Sequence, residues 1–121
     1  MIDVVSLKAW GANAEEGLQR CMNNEGLYLK LINMFLDNNS FNELKDTLAH
    51  DDLDRAFQAS HALKGVLGNL SLTPLFDIIF EVTELLRNRT KMDYSPYLEK
   101  YENHTLSYSH SANFQLLKFQ K

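Results

Sequence analysis

The stretch that decides the fold of this chain is residues 60–70, Ser60-His61-Ala62-Leu63-Lys64-Gly65-Val66-Leu67-Gly68-Asn69-Leu70. Successive residues of an α-helix advance by about 100° around its axis. Four residues of the stretch therefore share one stripe: His61, Lys64, Gly65 and Gly68. The opposite side is apolar and is expected to pack into a bundle; it carries Ala56, Ala59, Leu63, Val66, Leu67 and Leu70. We therefore predict that His61 points to solvent.

Both glycines of this stretch lie on the stripe that carries His61. A glycine in a helix interior costs about 1 kcal/mol relative to alanine, so two on one stripe need a compensating use. Because the apolar face already lies opposite, we expect Gly65 and Gly68 to leave the backbone bare for the surface of another protein. Close packing of a neighbouring helix is the alternative explanation.

The run His61-Ala62-Leu63-Lys64-Gly65, followed by Gly68-Asn69-Leu70, resembles the signature of histidine phosphotransfer (HPt) domains. That signature is His-x-Leu-Lys-Gly, then a small residue, then Asn-Leu. Segments 25–36 and 74–86 resemble the helices before and after it in the family, so the resemblance covers roughly residues 14–89. The chain departs from the family pattern at Ser71-Leu72, where Gly-Ala is common, and at Ser60, where alanine is frequent.

The resemblance implies a phosphorelay intermediate. His61 would accept a phosphoryl group from an aspartate of one receiver domain and pass it to an aspartate of another. The implied partners are receiver domains of response regulators or hybrid histidine kinases. These would also bring the divalent metal ion, so we expect no cofactor and no metal site in this chain. The sequence has no phosphate-binding loop of the Gly-x-x-x-x-Gly-Lys type, and we expect no kinase activity of its own.

Lys64 lies one helical turn from His61 and is the residue expected to contribute most after it. Phosphoryl transfer depends mainly on positioning and on neutralisation of charge, and an ammonium group here can meet the added negative charge. By position alone, an ordinary solvated lysine is an equally good interpretation. The resemblance favours the functional role.

Three further residues are candidates for docking a partner. Phe57 precedes His61 by about one turn, and its ring can either contact a partner or tuck under a neighbouring helix. Gln58 lies on the other flank of the stripe and can hydrogen-bond the imidazole or a partner. Leu72 extends the stripe at the helix end, with the same two interpretations as Phe57.

A function of a different class stays open beside the relay. The chain can be a non-catalytic helical interaction module in which the glycines serve packing and His61 has no chemical role. Phosphorylation of His61 by a separate histidine kinase is a variant of the first function. Incubation with a phosphorylated receiver domain distinguishes the two classes, because only a relay protein acquires an acid-labile phosphate.

Composition sets the remaining bounds. The chain has 121 residues, 45% of them apolar and 23% charged, which suits one globular domain over 1–121 with an extension at about 95–121. A net charge of −4 without a basic run argues against nucleic-acid binding. The single cysteine, Cys21, excludes an intramolecular disulfide and is expected to be buried. No apolar run can span a membrane and no signal pattern opens the chain, so we expect the cytoplasm. A monomer is a separate expectation, and the sequence leaves the oligomeric state open.

Polar residues before apolar runs predict where two of the helices begin. Asn13 is a suitable N-cap for a short helix that ends at about Met22. Asp51 and Asp52 offer a cap for the central helix, which we expect over residues 53–70. Residues 3–11 ahead of these helices are expected to form a short packed lead-in.

Two proline pairs predict the starts of the last helices. Thr73 followed by Pro74 is typical of an N-cap and first helical position, for a helix that ends at about Asn88. Ser95-Pro96 repeats the pattern for a final helix. The tail beyond it is apolar enough to pack, either helical throughout or fraying after about His104.

Residues 25–50 carry an apolar stripe at three- and four-residue steps, made of Leu27, Leu31, Met34, Phe41, Leu44 and Leu48. We favour one long helix, bent near residues 38–40, over two. Short connections between long helices favour antiparallel neighbours. The predicted fold is therefore all-α, an up-and-down antiparallel four-helix bundle with additional N- and C-terminal helices.

Overall fold

The computed structural model describes residues 4–36 and 40–105. Their helices are α1 (Val4–Trp10), α2 (Ala14–Arg20), α3 (Glu25–Leu36), α4 (Ser40–Ala49), α5 (Leu53–Asn69) and α6 (Thr73–Arg87). Residues 95–105 form a further helical segment, and the described residues contain no β-strand. The prediction of an all-α fold is confirmed. The central helix α5 packs against both α4 and α6, to which it is joined by short turns.

Two of the predicted helix caps are present. The Asn13 side chain accepts a hydrogen bond from the backbone N–H of Glu16 at 3.3 Å. The Asp52 carboxylate accepts one from the N–H of Arg55 at 3.2 Å. Each cap satisfies a donor that the first helical turn would otherwise leave without a partner, which fixes where α2 and α5 begin.

The start of α6 differs from the prediction by one residue. Leu72 takes the N-cap position without a side-chain hydrogen bond, and Thr73 is the first helical residue. The cause is the end of α5, where Ser71 adopts a left-handed φ of 56°. The N–H groups of Ser71 and Leu72 donate to Gly68 and Leu67 at 3.1 and 3.0 Å. This is a complete Schellman motif, whose apolar last residue folds back onto the helix.

The buried face of α5 is turned relative to the predicted one. Ala56, Leu63 and Leu67 are buried as expected, whereas Val66 is 40% exposed. Ser60 takes the place in the core and is fully buried. The hydroxyl of Ser60 donates to the carbonyl of Phe57 at 3.0 Å, which offsets the cost of burying it.

The stripe predicted for residues 25–50 also needs correction. In α3 Tyr28 and Ile32 are fully buried, while Met34 is 59% exposed. The Tyr28 hydroxyl donates to the carbonyl of Leu70 at 2.7 Å, so α3 turns this ring toward the end of α5. Leu44 of α4 is buried as predicted. The choice between one bent helix and two falls on residues 37–39, which lie outside the described residues.

The Ser95-Pro96 pair predicted a final helix, and the structure has one, but it begins one residue earlier than the pattern implies. Ser95 is its first helical residue and not its N-cap, because the N–H groups of Tyr97 and Leu98 donate to the carbonyl of Tyr94. The segment 95–105 packs against the end of α1 and against α4. Tyr101 is buried and stacks on Phe41 with ring centroids 4.1 Å apart. The indole N–H of Trp10 donates to the carbonyl of His104 at 2.9 Å. The expectations for the tail beyond 105 lie outside the described residues.

Candidate functional site

The imidazole of His61 is exposed near the middle of α5. Among residues 4–36 and 40–105, neither ring nitrogen has a hydrogen-bond partner. One face of the ring stacks on Phe57, with centroids 5.8 Å apart and planes inclined by 23°. The helix thus fixes the backbone position of His61, while the edges of the ring that carry the nitrogens stay open to solvent.

The two glycines near His61 have different surroundings. A Cβ placed on Gly65, one turn after His61, would meet no atom within 4 Å. A Cβ on Gly68 would lie 3.3 Å from Cε2 of Phe76 on α6. The backbone at Gly65 is therefore bare and accessible, as predicted. At Gly68 the lack of a side chain instead lets the neighbouring helix α6 come close.

Lys64 lies on the α6 side of the His61 face and is half-buried. Its Nζ stands 5.5 Å from the ring centroid of Phe80, which is 45% exposed. No carboxylate in the described part of the chain pairs with Lys64. Its charge is thus held beside His61 by an aromatic face and is not neutralised by a neighbour.

Phe57 is half-buried beneath two cations from the end of α6. The guanidinium carbon of Arg89 lies 4.8 Å from the Phe57 ring centroid, and that of Arg87 lies 5.2 Å away. Phe57 therefore touches His61 and lies under residues from the end of α6, as the second interpretation of the sequence expected. Contact of this ring with a partner stays a prediction.

Comparison with known protein families identifies the family of this chain. The family model described as "Hpt domain" matches residues 30–112, which is more than half of the chain and includes His61, Lys64 and all of α5. The chain belongs to the Hpt domain family. No curated protein and no solved structure gives a significant match. Membership implies histidine phosphotransfer in phosphorelays in general and interaction with receiver domains as a class.

Of two further docking candidates in this Hpt domain, one is exposed and the other is buried. Gln58 is exposed on the flank of the His61 stripe, and no described residue hydrogen-bonds its side chain. Leu72 is only 2% exposed, so its assignment to the docking surface is wrong. The helical spacing that placed Leu72 on the stripe stops applying at Ser71, where the left-handed residue turns the chain inward.

A cleft of about 410 Å³ opens beside Lys64 and Gly65 in the Hpt domain. It lies between α2, the C-terminal half of α5 and the first turn of α6, with Leu67 and Phe76 among its apolar lining. Arg20 and Glu16 of α2 supply charge at its edge, where they pair at 2.9 Å. Sequence reasoning missed this cleft because one of its sides comes from α2, which is distant along the chain from α5 and α6.

The aromatic and basic residues contributed by α6 were also missed. Phe76, Phe80 and Arg87 are spaced by four and seven residues, which places them on one face of a helix. That spacing is the signal that could have found them. Arg89 lies after the helix end at a left-handed φ of 52°, where helical spacing no longer predicts direction.

The described ranges contain no group of three His, Cys, Asp or Glu side chains arranged to hold a metal ion. They also contain no helix with the length and apolar character needed to cross a bilayer.

Proposed function

We propose that this Hpt domain accepts a phosphoryl group on His61 from an aspartyl phosphate of one receiver domain and transfers it to an aspartate of another. The supporting observation is an exposed imidazole near the middle of α5, with no hydrogen-bond partner among the described residues and with open backbone at Gly65. Family membership supports histidine phosphotransfer in general. The assignment to His61 and the pair of receivers are our proposal.

The chemical step needs little from this chain beyond a nucleophile. The unprotonated nitrogen of a neutral imidazole supplies the lone pair that forms the P–N bond. The P–O bond of the acyl phosphate breaks, and the donor aspartate leaves as a carboxylate. Transfer to the acceptor reverses these changes: an aspartate oxygen attacks phosphorus and the imidazole leaves with the electron pair of the P–N bond.

Charge neutralisation at this step is assigned to Lys64. The phosphoryl group adds negative charge next to α5, and the ammonium of Lys64 is held one helical turn away over Phe80. In phosphoryl transfer such positioned charge is a main source of rate acceleration. The divalent metal ion is assigned to the receiver domain, and the cytoplasm and the monomeric state remain predictions.

The test is transfer of label from isolated receiver domains. Receivers carrying aspartyl [³²P]phosphate, with Mg²⁺, are mixed with the full chain, and the product is assayed for acid-labile, base-stable phosphate. We expect labelling of the wild type and of His50→Gln, in which an exposed histidine of the turn after α4 is changed, but none of His61→Gln. Addition of an unlabelled second receiver should then remove the label.

Labelled His61→Gln would refute the assignment of the phosphoryl acceptor. Stable binding of receivers with no label in the wild type would favour the interaction module instead.

A further inference from the structure

We propose that Phe57 is a positioning residue that orients the imidazole of His61, and that Arg89 in turn holds Phe57. The inference deepens the proposed function and rests on it. The structural observation is a continuous stack from the guanidinium of Arg89 through the Phe57 ring to His61. Neither ring nitrogen of His61 is held by a hydrogen bond within the described residues, so the stack is what fixes the ring.

Arg89 is anchored firmly enough to act as the base of this stack. Its Nε donates to Oδ1 of Asp54 at 2.7 Å, and its Nη1 donates to the carbonyl of Leu86 at 2.8 Å. The backbone N–H of Arg89 also donates to Leu86, at 2.9 Å. The side chain thus joins α5 to the end of α6 and presents the guanidinium 4.8 Å from the Phe57 ring centroid.

Arg87 covers the same ring from α6. Its guanidinium carbon lies 5.2 Å from the Phe57 centroid, and its Nε stands 3.4 Å from Oε2 of Glu84. Cations prefer the electron-rich face of an aromatic ring. Two cations and one imidazole therefore confine a ring that is itself only half-buried, which restricts the side-chain rotation of Phe57.

Stacking suits a histidine that must use its ring nitrogen chemically. Proteins usually orient a histidine through a hydrogen bond to one ring nitrogen, which also selects the tautomer. A contact with the face of the ring restricts the orientation of the imidazole and leaves both nitrogens at the open edge. Correct orientation matters, since misplacement of reacting groups by about 1 Å can cost about 100-fold in rate.

The alternative is that Phe57 only fills space between α5 and α6. Under that alternative, leucine at this position preserves apolar volume and leaves the chemistry of His61 unchanged. Under our proposal, the loss of the aromatic face frees the imidazole and slows phosphorylation. Stacked aromatic pairs contribute enough to predict a decrease of about fivefold.

The experiment uses phosphoramidate, a small phosphoryl donor whose P–N bond breaks with release of ammonia as the bond to His61 forms. This donor removes receiver docking from the measurement. We expect Phe57→Leu to be labelled about fivefold more slowly than the wild type and Phe57→Tyr to recover to within about twofold. Arg89→Gln should slow labelling about twofold to threefold, whereas Arg55→Gln, a matched change at an exposed arginine of α5, should not.

A second readout distinguishes a change in the orientation of the His61 ring from a general loosening of the fold. In NMR spectra, the ring protons of His61 should show contacts to the Phe57 ring in the wild type and in Phe57→Tyr. In Phe57→Leu the ring-current shift of these protons should disappear, and couplings across the Cα–Cβ bond should show rotamer averaging. Circular dichroism and thermal melts verify that each variant is folded, and Arg89→Gln tests the stack without changing Phe57.

The outcomes are distinct. Labelled wild type with equally fast Phe57→Leu overturns this inference and leaves the proposed function intact. Slow Phe57→Leu with an unchanged His61 rotamer also overturns it, because the ring would then not be what orients the imidazole. A wild type that takes label from neither phosphoramidate nor receivers overturns the proposed function, and this inference with it.

Discussion

Replacement of Gly65 by alanine should make the protein more stable and a poorer partner at the same time. Gly65 lies in the interior of α5, and a Cβ there meets no atom within 4 Å. The substitution therefore gains the helix propensity of alanine, about 1 kcal/mol, without a steric cost. For 121 residues, an unfolding entropy of about 2.1 cal/mol/K per residue converts this gain to a rise in Tm of about 4 °C.

The functional effect should depend on the size of the new side chain and of the donor. Gly65 stands one turn beyond His61, so atoms added there occupy space that a docked receiver must approach. We expect Gly65→Ala to slow transfer from a phosphorylated receiver severalfold and Gly65→Gln to slow it more. Phosphoramidate should label both variants at nearly the wild-type rate, because a small donor needs little of this surface.

The other glycines serve as controls for the structural reasoning. A Cβ on Gly17 would overlap the Tyr28 ring, so Gly17→Ala should destabilise the protein by about 1–3 kcal/mol despite better helix propensity. A Cβ on Gly68 would lie 3.3 Å from the Phe76 ring, so the stability of Gly68→Ala should fall between those of Gly17→Ala and Gly65→Ala. A lower Tm for Gly65→Ala, or receiver transfer that is unaffected by Gly65→Gln, would refute the interpretation of Gly65 as open docking backbone.

Three further outcomes follow from single side chains. Lys64→Ala should slow phosphotransfer with an unchanged circular dichroism spectrum, and unaltered transfer would contradict a role in neutralising charge. Tyr28→Phe should lower the free energy of unfolding by about 1–2 kcal/mol in chemical denaturation, because the Leu70 carbonyl loses its buried 2.7 Å hydrogen bond from Tyr28. Burial raises the pKa of Tyr28 to about 12 from 10.0. The neutral phenol is thus favoured in the folded state, so the stability that Tyr28 contributes should be complete below pH 10 and be lost between about pH 10 and 12. Tyr28→Phe should lose less stability over this range, with the remaining loss due to Tyr94 and Tyr101, whose pKa values burial also raises.

The sequence was sufficient where local chemistry decides the structure. Asn13 and Asp52 cap helices because their side chains reach backbone donors three residues ahead. The outward direction of His61 followed from the 3.6-residue repeat, since it stands opposite Leu63 and Leu67 on a regular helix. Nothing beyond the spacing of these residues was needed.

The parts that could not be predicted depend on an irregular turn and on contacts between different elements. The helical repeat extrapolated Leu72 to the surface, but the left-handed turn at Ser71 directs it into the core. Ser60 is buried in preference to Val66 because α5 packs between α4 and α6. The sequence of α5 alone does not indicate where these two helices lie. The stack of Arg89 on Phe57 brings together residues far apart in the chain, so no local pattern predicted it.

The placement of one exposed imidazole on one face of α5 has a consequence for how such a relay is controlled. If His61 both receives and gives the phosphoryl group, donor and acceptor must use the same surface in turn and cannot bind it together. An excess of idle acceptor would therefore compete with the loaded donor and slow the loading of His61. Flux through the chain would then peak at an intermediate ratio of the two receivers, with the net direction set by the free energies of their aspartyl phosphates.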